Sequence, residues 1–296
     1  MHPMPRTDAL PARTGSGGFT LVELVVAIVL LGIVALMVTT FATGAMQSYL
    51  DAERRAELVD GTETAMRRLQ RDVRLSLPNS VRVADDGRTV YLEFLPVIAG
   101  GRYRAQLSGK TPAGPCGIGS NDPLAFGTAD ASFSTLGPVA DLPRDRGTYY
   151  IVVYNLGAGF ANADAYATGA ATGGNKALYA RDATGPCESV IAHERHTFTL
   201  ASPSGRFHLA GRPVTYACDV RSGQLLRYSD YDIAAVQPMP PRGTPALVLD
   251  GITGCTITYD PDAVSQRIGV VSIALERSAG GESVRLYQDV RVDNAP

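Results

Sequence analysis

Gly18-Phe19-Thr20-Leu21-Val22-Glu23 opens an apolar run that continues from Leu24 to Ala42 without another charged residue. A helix rises about 1.5 Å per residue, so Phe19 to Ala42 is long enough to cross the roughly 30 Å hydrocarbon layer of a bilayer. One carboxylate, Glu23, stands near the start of that stretch. A charge inside a membrane segment costs roughly 2.5–3.5 kcal/mol on insertion scales, so Glu23 needs a partner. Other readings compete. A secretory signal peptide would use the small residues Ala42-Thr43-Gly44 for cleavage, but a glutamate in the apolar core is foreign to such a signal and the run is overlong for one. A simple membrane anchor fits the length. A buried soluble helix fits poorly, because apolarity is unbroken from Leu24 to Met37.

Working outward from this run, residues 1–18 carry Arg6 and Arg13 against Asp8. That bias keeps the leader cytoplasmic and sends everything after about Thr43 to the other side of the membrane. Gly15-Ser16-Gly17-Gly18 is a flexible stretch open to a peptidase. The whole chain has 296 residues, of which 45% are hydrophobic, and a formal net charge of −2. This suits one globular domain plus an anchor, or two small lobes. Near-neutral charge argues against a nucleic-acid binder working by bulk electrostatics, and no nucleic-acid partner is expected.

Beyond the membrane segment, Ala45, Tyr49, Ala52, Ala56, Val59, Met66, Leu69, Val73 and Leu77 recur mostly three or four residues apart. They mark one face of an amphipathic helix over 43–77. Asp51–Arg55, Glu63–Arg67 and Arg68–Asp72 are i,i+4 pairs on its polar faces. Gly61 weakens the helix and Pro78 ends it at Leu77. Strand signals follow at Val81–Val83, Thr89–Leu95, Thr148–Tyr154, His196–Leu200, Val214–Asp219, Gln224–Tyr228, Ile252–Tyr259, Ile268–Glu276 and Ser283–Val292, with Asp85-Asp86-Gly87 and Ser222-Gly223 as turns. Strands that follow one another without intervening helices predict an α+β fold, with a long N-terminal helix packed on an antiparallel sheet. The stretches 109–146 and 157–175 read as long loops leaving that sheet.

Cys116, Cys187, Cys218 and Cys255 form an even set in a compartment predicted to be oxidising. Two disulfides with three possible connectivities follow. Cys218–Cys255, tying neighbouring strands, and Cys116–Cys187, closing a long irregular region, are the favoured pairs. No C-x2-C pair is present and His193 and His196 lie three apart rather than four, so neither a metal nor a zinc-protease motif is expected. Asp230-Tyr231-Asp232 and Asp260-Pro261-Asp262 lack EF-hand spacing and read as Asx turns. No nucleophile elbow, P-loop or dinucleotide glycine pattern occurs in a supporting context, so neither an enzyme nor a cofactor is expected.

Gly18, Phe19-Thr20-Leu21-Val22-Glu23 and the following run resemble the processing signal of type IV pilin-like proteins. The resemblance implies cleavage between Gly18 and Phe19 by prepilin peptidase and N-methylation of Phe19, with Glu23 fifth in the mature chain. It implies an inner-membrane protein with a cytoplasmic N-terminus and a periplasmic domain over 78–296, later carried into a fibre. Its partners would be other pilin or pseudopilin subunits, through helix packing, and the inner-membrane assembly platform. In such a fibre the Glu23 carboxylate neutralises the new amine of a neighbouring subunit, where an unpaired charge in low dielectric is costly. Arg67–Arg74, Leu77–Val83 and the closing Asp293-Asn294-Ala295-Pro296 further resemble MshO-type minor pilins of the MSHA pilus set. They are also similar to PilW-type minor pilins and to J-type pseudopilins of type II secretion. A ligand-holding adhesin or DNA-uptake subunit is the remaining alternative, and exposed aromatics and arginines around Arg102, Tyr103 and Arg104 would favour it. Many major pilins carry a proline near the position of Thr40, and its absence here suits a low-copy component better than a main shaft subunit.

Overall fold

The computed structural model describes residues 18–106, 121–143, 148–168, 174–185, 187–265 and 267–296. The chain forms two compact units, one through Glu53 and one from Arg54 to Pro296, and the helix α1 (Leu21–Arg74) contributes to both.

In the first unit every apolar side chain from Phe19 to Leu50 except Ala27 is exposed, including Leu30, Leu31, Ile33 and Phe41. Such a helix is apolar all round and finds no protein surface to cover it within its own unit. Its hydroxyls are satisfied locally. Thr39 donates to the Ala35 carbonyl at 2.7 Å, Thr43 to that of Thr39 at 2.9 Å and Ser48 to that of Gly44 at 3.0 Å. This i−4 bonding removes the cost of carrying a free O–H into an apolar phase.

In the second unit the helix is amphipathic. Leu58, Thr62, Ala65, Met66, Leu69 and Val73 are buried at spacings of three and four. The helix ends at Arg74, three residues before the predicted boundary. Leu75 and Ser76 donate to the carbonyls of Asp72 and Val73 in tight closing turns, and Leu77 then donates to the Leu95 carbonyl at 2.7 Å. Pro78 disfavours helical geometry in the residue before it, so fully buried Leu77 takes an extended path alongside Leu95 to Val97. Glu63–Arg67 forms at 2.6 Å as its spacing predicts. Arg68–Asp72 does not, because Asp72 turns to the sheet and accepts from Tyr216 Oη at 2.8 Å and Arg227 Nε at 3.0 Å.

Fourteen strands follow among the described residues: β1 (Arg82–Asp85), β2 (Thr89–Phe94), β3 (Val97–Arg102), β4 (Asp130–Ser134), β5 (Tyr150–Val153), β6 (Lys176–Thr184), β7 (Ser189–His196), β8 (Arg206–Ala210), β9 (Val214–Asp219), β10 (Gln224–Ser229), β11 (Thr244–Leu249), β12 (Ile252–Ser265), β13 (Ile268–Ala279) and β14 (Glu282–Asp293). The fold is α+β with antiparallel sheets, as expected, but the sheets are three rather than one. Their orders are β1-β2-β9-β10-β11, β12-β13-β14 and β3-β8-β5-β6-β7-β4. Helix α1 buries Leu69 and Val73 with Leu92, Phe94 and Tyr216 of the first sheet and Ile257, Ile273 and Val290 of the second.

The third sheet corrects the reading of 109–146 as a plain loop, since β4 lies in it, whereas the described residues of 157–175 form turns and no strand, as expected. It also shifts the strand expected at His196–Leu200 to Ser189–His196. Its outer strands run together beyond their ends: Tyr103 bridges Thr135, Arg104 donates to the Ser134 carbonyl and Leu136 to that of Arg102, both at 2.8 Å. The sheet therefore closes on itself around Phe133, Ile151, Ile191 and Phe207, which leaves no free edge between β3 and β4 at that point. This lobe, residues 97–210, is inserted between β2 and β9, which pair directly with Phe94 opposite Val214.

Cys218 of β9 and Cys255 of β12 are bonded, with Cα atoms 6.5 Å apart. The bond thus joins two sheets rather than neighbouring strands. Cys187 is disulfide-bonded, and Cys116 lies outside the described residues.

Candidate processing and assembly site

The N-terminal site is built from Gly18, Phe19, Thr20 and Glu23. Gly18 to Thr20 precede the helix, and Phe19 is 77% exposed. Thr20 is the N-cap: its Oγ1 accepts the Glu23 N–H at 3.2 Å and its carbonyl accepts the Leu24 N–H at 3.1 Å. The cap satisfies one of the backbone donors that every helix start leaves open. Glu23 occupies the third helical position, where the helix dipole favours a negative charge. Among the described residues nothing hydrogen-bonds or pairs with its carboxylate. The site is therefore a capped helix start with an uncommitted anion, set in apolar side chains. The Ser/Thr-x-x-Glu spacing that signals this cap is present as Thr20 and Glu23, and a reading of Glu23 as an isolated charge passes over it.

Among the described residues of the second unit, Glu93 of β2 is a fully buried carboxylate. Arg82 grips its Oε1 through Nε at 3.0 Å and a terminal nitrogen at 2.6 Å, while Tyr231 donates to Oε2 at 3.1 Å. Burial pushes the Glu93 carboxyl above its ordinary range, and Arg82 opposes that shift. The Arg82 guanidinium also lies 3.7 Å over the Tyr166 ring and donates to the Ala234 and Ala235 carbonyls at 2.9 Å. The network stitches the segments carrying Tyr166 and Tyr231 to Ala235 onto β1 and β2.

Other candidates fall to packing. His193 lies inside the closed sheet against Phe133 and Phe198, and His196 meets Phe198 edge to face while its Nε2 meets the Gly174 carbonyl at 2.9 Å. Among the described residues no group of three His, Cys, Asp or Glu side chains is placed to hold a metal. Asp262 N–H donates to Asp260 Oδ1 at 3.0 Å, an Asx turn. Arg102, Tyr103 and Arg104 form no exposed patch. Tyr103 is buried with its hydroxyl on the Ser202 carbonyl, Arg102 donates to the Ser204 carbonyl, and Arg104 pairs with Glu188 at 3.0 Å.

Among the described residues one helix, α1, is long and apolar enough to cross a membrane, with a mean hydropathy of 3.0 over its best window. Together with the capped carboxylate and the antiparallel sheets, it defines a helix-first subunit suited to membrane anchoring. Residues 13–39 match the family described as the prokaryotic N-terminal methylation motif, which supports a type IV pilin-like protein. The motif implies processing by prepilin peptidase and assembly with other pilins, and it suggests a structural subunit. No curated protein and no solved structure matches the chain.

Proposed function

We propose that this chain is a prepilin that becomes a minor pilin of an MSHA-like type IV pilus after cleavage between Gly18 and Phe19. Residues 1–18 are the cytoplasmic leader, Phe19 to Ala42 the membrane and assembly segment, and the domain from Pro78 onward periplasmic. The observation that carries the reading is the Glu23 carboxylate: its backbone N–H is capped by Thr20, and its side chain has no partner among the described residues, on a helix whose apolar surface is open. Cleavage would create a cationic amine at Phe19 and its methylation would keep the charge. The Glu23 of one chain would neutralise that amine on the next, and a misplaced subunit would leave two charges unpaired in low dielectric. Retention of Glu23 implies that another subunit sits above this one. A J-type pseudopilin of type II secretion would use the same steps in a different fibre, and the neighbouring genes separate the two.

Mass spectrometry of the mature protein tests the processing step. N-methyl-phenylalanine at position 19 is expected, whereas a first residue of Ala45 would make this an ordinary secreted protein. Glu23→Ala is expected to stay membrane-inserted and processed while losing incorporation, and normal incorporation would remove the pairing step.

A further inference from the structure

In the inserted lobe the strands β6 and β7 part. Their ladder ends with Tyr179 opposite His193, and among the described residues no pairing continues from Lys176–Leu178 to Glu194–His196. The gap is a cavity of about 410 Å³ walled by Lys176, Glu194, Arg195 and His196, with Tyr150 of β5 beside them. A second recess of about 240 Å³ adjoins it, since Tyr150 and Lys176 line both. Asn175 and Ile233 line this inner recess, and Ile233 and Tyr150 pack on the core formed by Leu77, Val152 and Tyr166. The His196 contact with the Gly174 carbonyl ties one lining to the other.

The cleft collects polar groups that the protein does not itself satisfy. Asn175 is only 3% exposed, yet its Oδ1 has no partner, while its Nδ2 donates to Asn155 Oδ1 at 3.1 Å. That amide cannot be turned round, because Asn155 Oδ1 only accepts. Lys176 Nζ donates to the Ala165 carbonyl at 2.8 Å and to that of Ala167, which leaves one of its three N–H groups. The Tyr150 hydroxyl and the Glu194 and Arg195 side chains make no hydrogen bond or ion pair among the described residues. The unmatched set therefore holds donors, in Tyr150, Lys176 and Arg195, and acceptors, in Asn175 and Glu194. Its charges balance. Lys176 and Arg195 stand against Glu194 and Asp164, and both Asp164 oxygens already accept from the backbone N–H groups of Gly159 and Tyr166. Arg212 and Asp232, close to Tyr150, pair with each other at 3.7 Å. Such a balance favours neither an anion nor a cation, and a hydrocarbon would leave the buried amide oxygen open. A hydroxyl both donates and accepts.

We propose that this cleft binds a short neutral saccharide, whose hydroxyls bridge the Tyr150, Lys176 and Arg195 donors to the Asn175 and Glu194 acceptors and whose C–H faces lie on the Tyr150 ring and Ile233. A carboxylate or phosphate would answer the cations only, setting an acceptor against Asn175 Oδ1 and a like charge against Glu194. Every group named lies in the second unit, so the site goes beyond the assembly role and does not depend on processing at Gly18.

The test uses the full chain in phospholipid nanodiscs, free of glycoside detergent, with saturation-transfer NMR titrations as the readout. The probes are neutral trisaccharides of glucose, galactose and N-acetylglucosamine, with the trisaccharide of galacturonic acid as the charged counterpart. At least one neutral probe is expected to bind about tenfold or more tightly than the acidic one. Tyr150→Phe and Glu194→Ala remove groups that the fold leaves unbonded, so the unfolding midpoint should stay unchanged. The Kd for that probe should rise about fivefold in each variant and about 25-fold in the two together. Failure of every neutral probe to bind, tighter binding of the acidic probe, or an unchanged Kd in the double variant overturns the proposal.

Discussion

Asn79 and Asn294 lie 215 positions apart and are held together twice: the Asn79 backbone N–H donates to Asn294 Oδ1 at 3.2 Å, and Asn79 Nδ2 donates to the Asn294 carbonyl at 3.0 Å. Asn79 can do this because it adopts a left-handed backbone, with φ 58°, directly after the Pro78 that follows the end of α1. Asn294 in turn donates through Nδ2 to Tyr259 Oη at 2.9 Å and to the Pro261 carbonyl at 3.1 Å. The chain's last strand is thereby tied to the end of its first helix. Asn294→Ala is expected to leave the Asn79 N–H and Tyr259 hydroxyl without their partner and to cost about 2 kcal/mol of unfolding free energy in urea titrations. A change below about 0.5 kcal/mol would show that water replaces the amide without loss.

Thr20→Val keeps the shape and removes the cap. The helix start loses about 1 kcal/mol, and the Glu23 N–H is left open beside an apolar phase. Thr20→Ser should retain function and Thr20→Val should lower incorporation while leaving total membrane-bound protein unchanged, as read by immunoblots of membrane and sheared fractions. Equal incorporation of the two variants would show that the cap has no part in placing Glu23.

The Cys218–Cys255 bond closes a separation of 37 residues between two sheets that share one core. Loop-closure entropy for that length is about 4 kcal/mol, and measured losses are often smaller. Replacing both cysteines with alanine should lower the urea midpoint of the full chain in detergent, and reduction of the native protein, which also opens the bond at Cys187, should lower it at least as far. A midpoint unchanged by the double replacement would mean that α1 alone holds the two sheets together.

Stability should fall in mild acid. Burial pushes the His208 imidazole down to about 4, with Arg206 adding to the effect and Asp293 opposing it. Burial also lowers His193. In the unfolded chain both take up a proton near pH 6.5, so below that value unfolding binds protons and is favoured. The contribution is therefore complete above about pH 6.5 and is lost as the pH falls toward 4, by at most about 3 kcal/mol for His208. Urea midpoints at pH 7 and 4.5 measure the slope, and His208→Gln should flatten it. An identical slope in that variant would place the acid sensitivity elsewhere.

The parts of this architecture legible from sequence are those whose signal is local. An apolar run needs no partner to be recognised, and Leu69 and Val73 fall on the face that the three-and-four spacing marks. The alternation of Val271, Ile273 and Leu275 identifies β13 because one side of that strand is buried and the other is not. The closed lobe was illegible for the opposite reason. Its order, β3-β8-β5-β6-β7-β4, is set by pairings distant in sequence, and β4 is the short, weakly apolar Asp-Ala-Ser-Phe-Ser. β7 carries His193, Glu194, Arg195 and His196, a polar cluster that reads as a strand entry, although His193 points inward. At the N-terminal site Glu23 stood out by charge, whereas the role of Thr20 depended on where the helix begins. Asp72 looked committed to Arg68 because spacing on a helix is visible in sequence and a sheet arriving from residues 216–227 is not.

The insertion of residues 97–210 between paired neighbours has an evolutionary corollary. Phe94 and Val214 face one another across β2 and β9, so the lobe hangs from a doorway one strand-spacing wide. Whatever is enlarged, trimmed or exchanged beyond that doorway leaves the register of the sheet against α1 undisturbed. A chain built this way can vary its inserted lobe while the pairing of β2 with β9 and the packing of the first sheet on α1 stay the same.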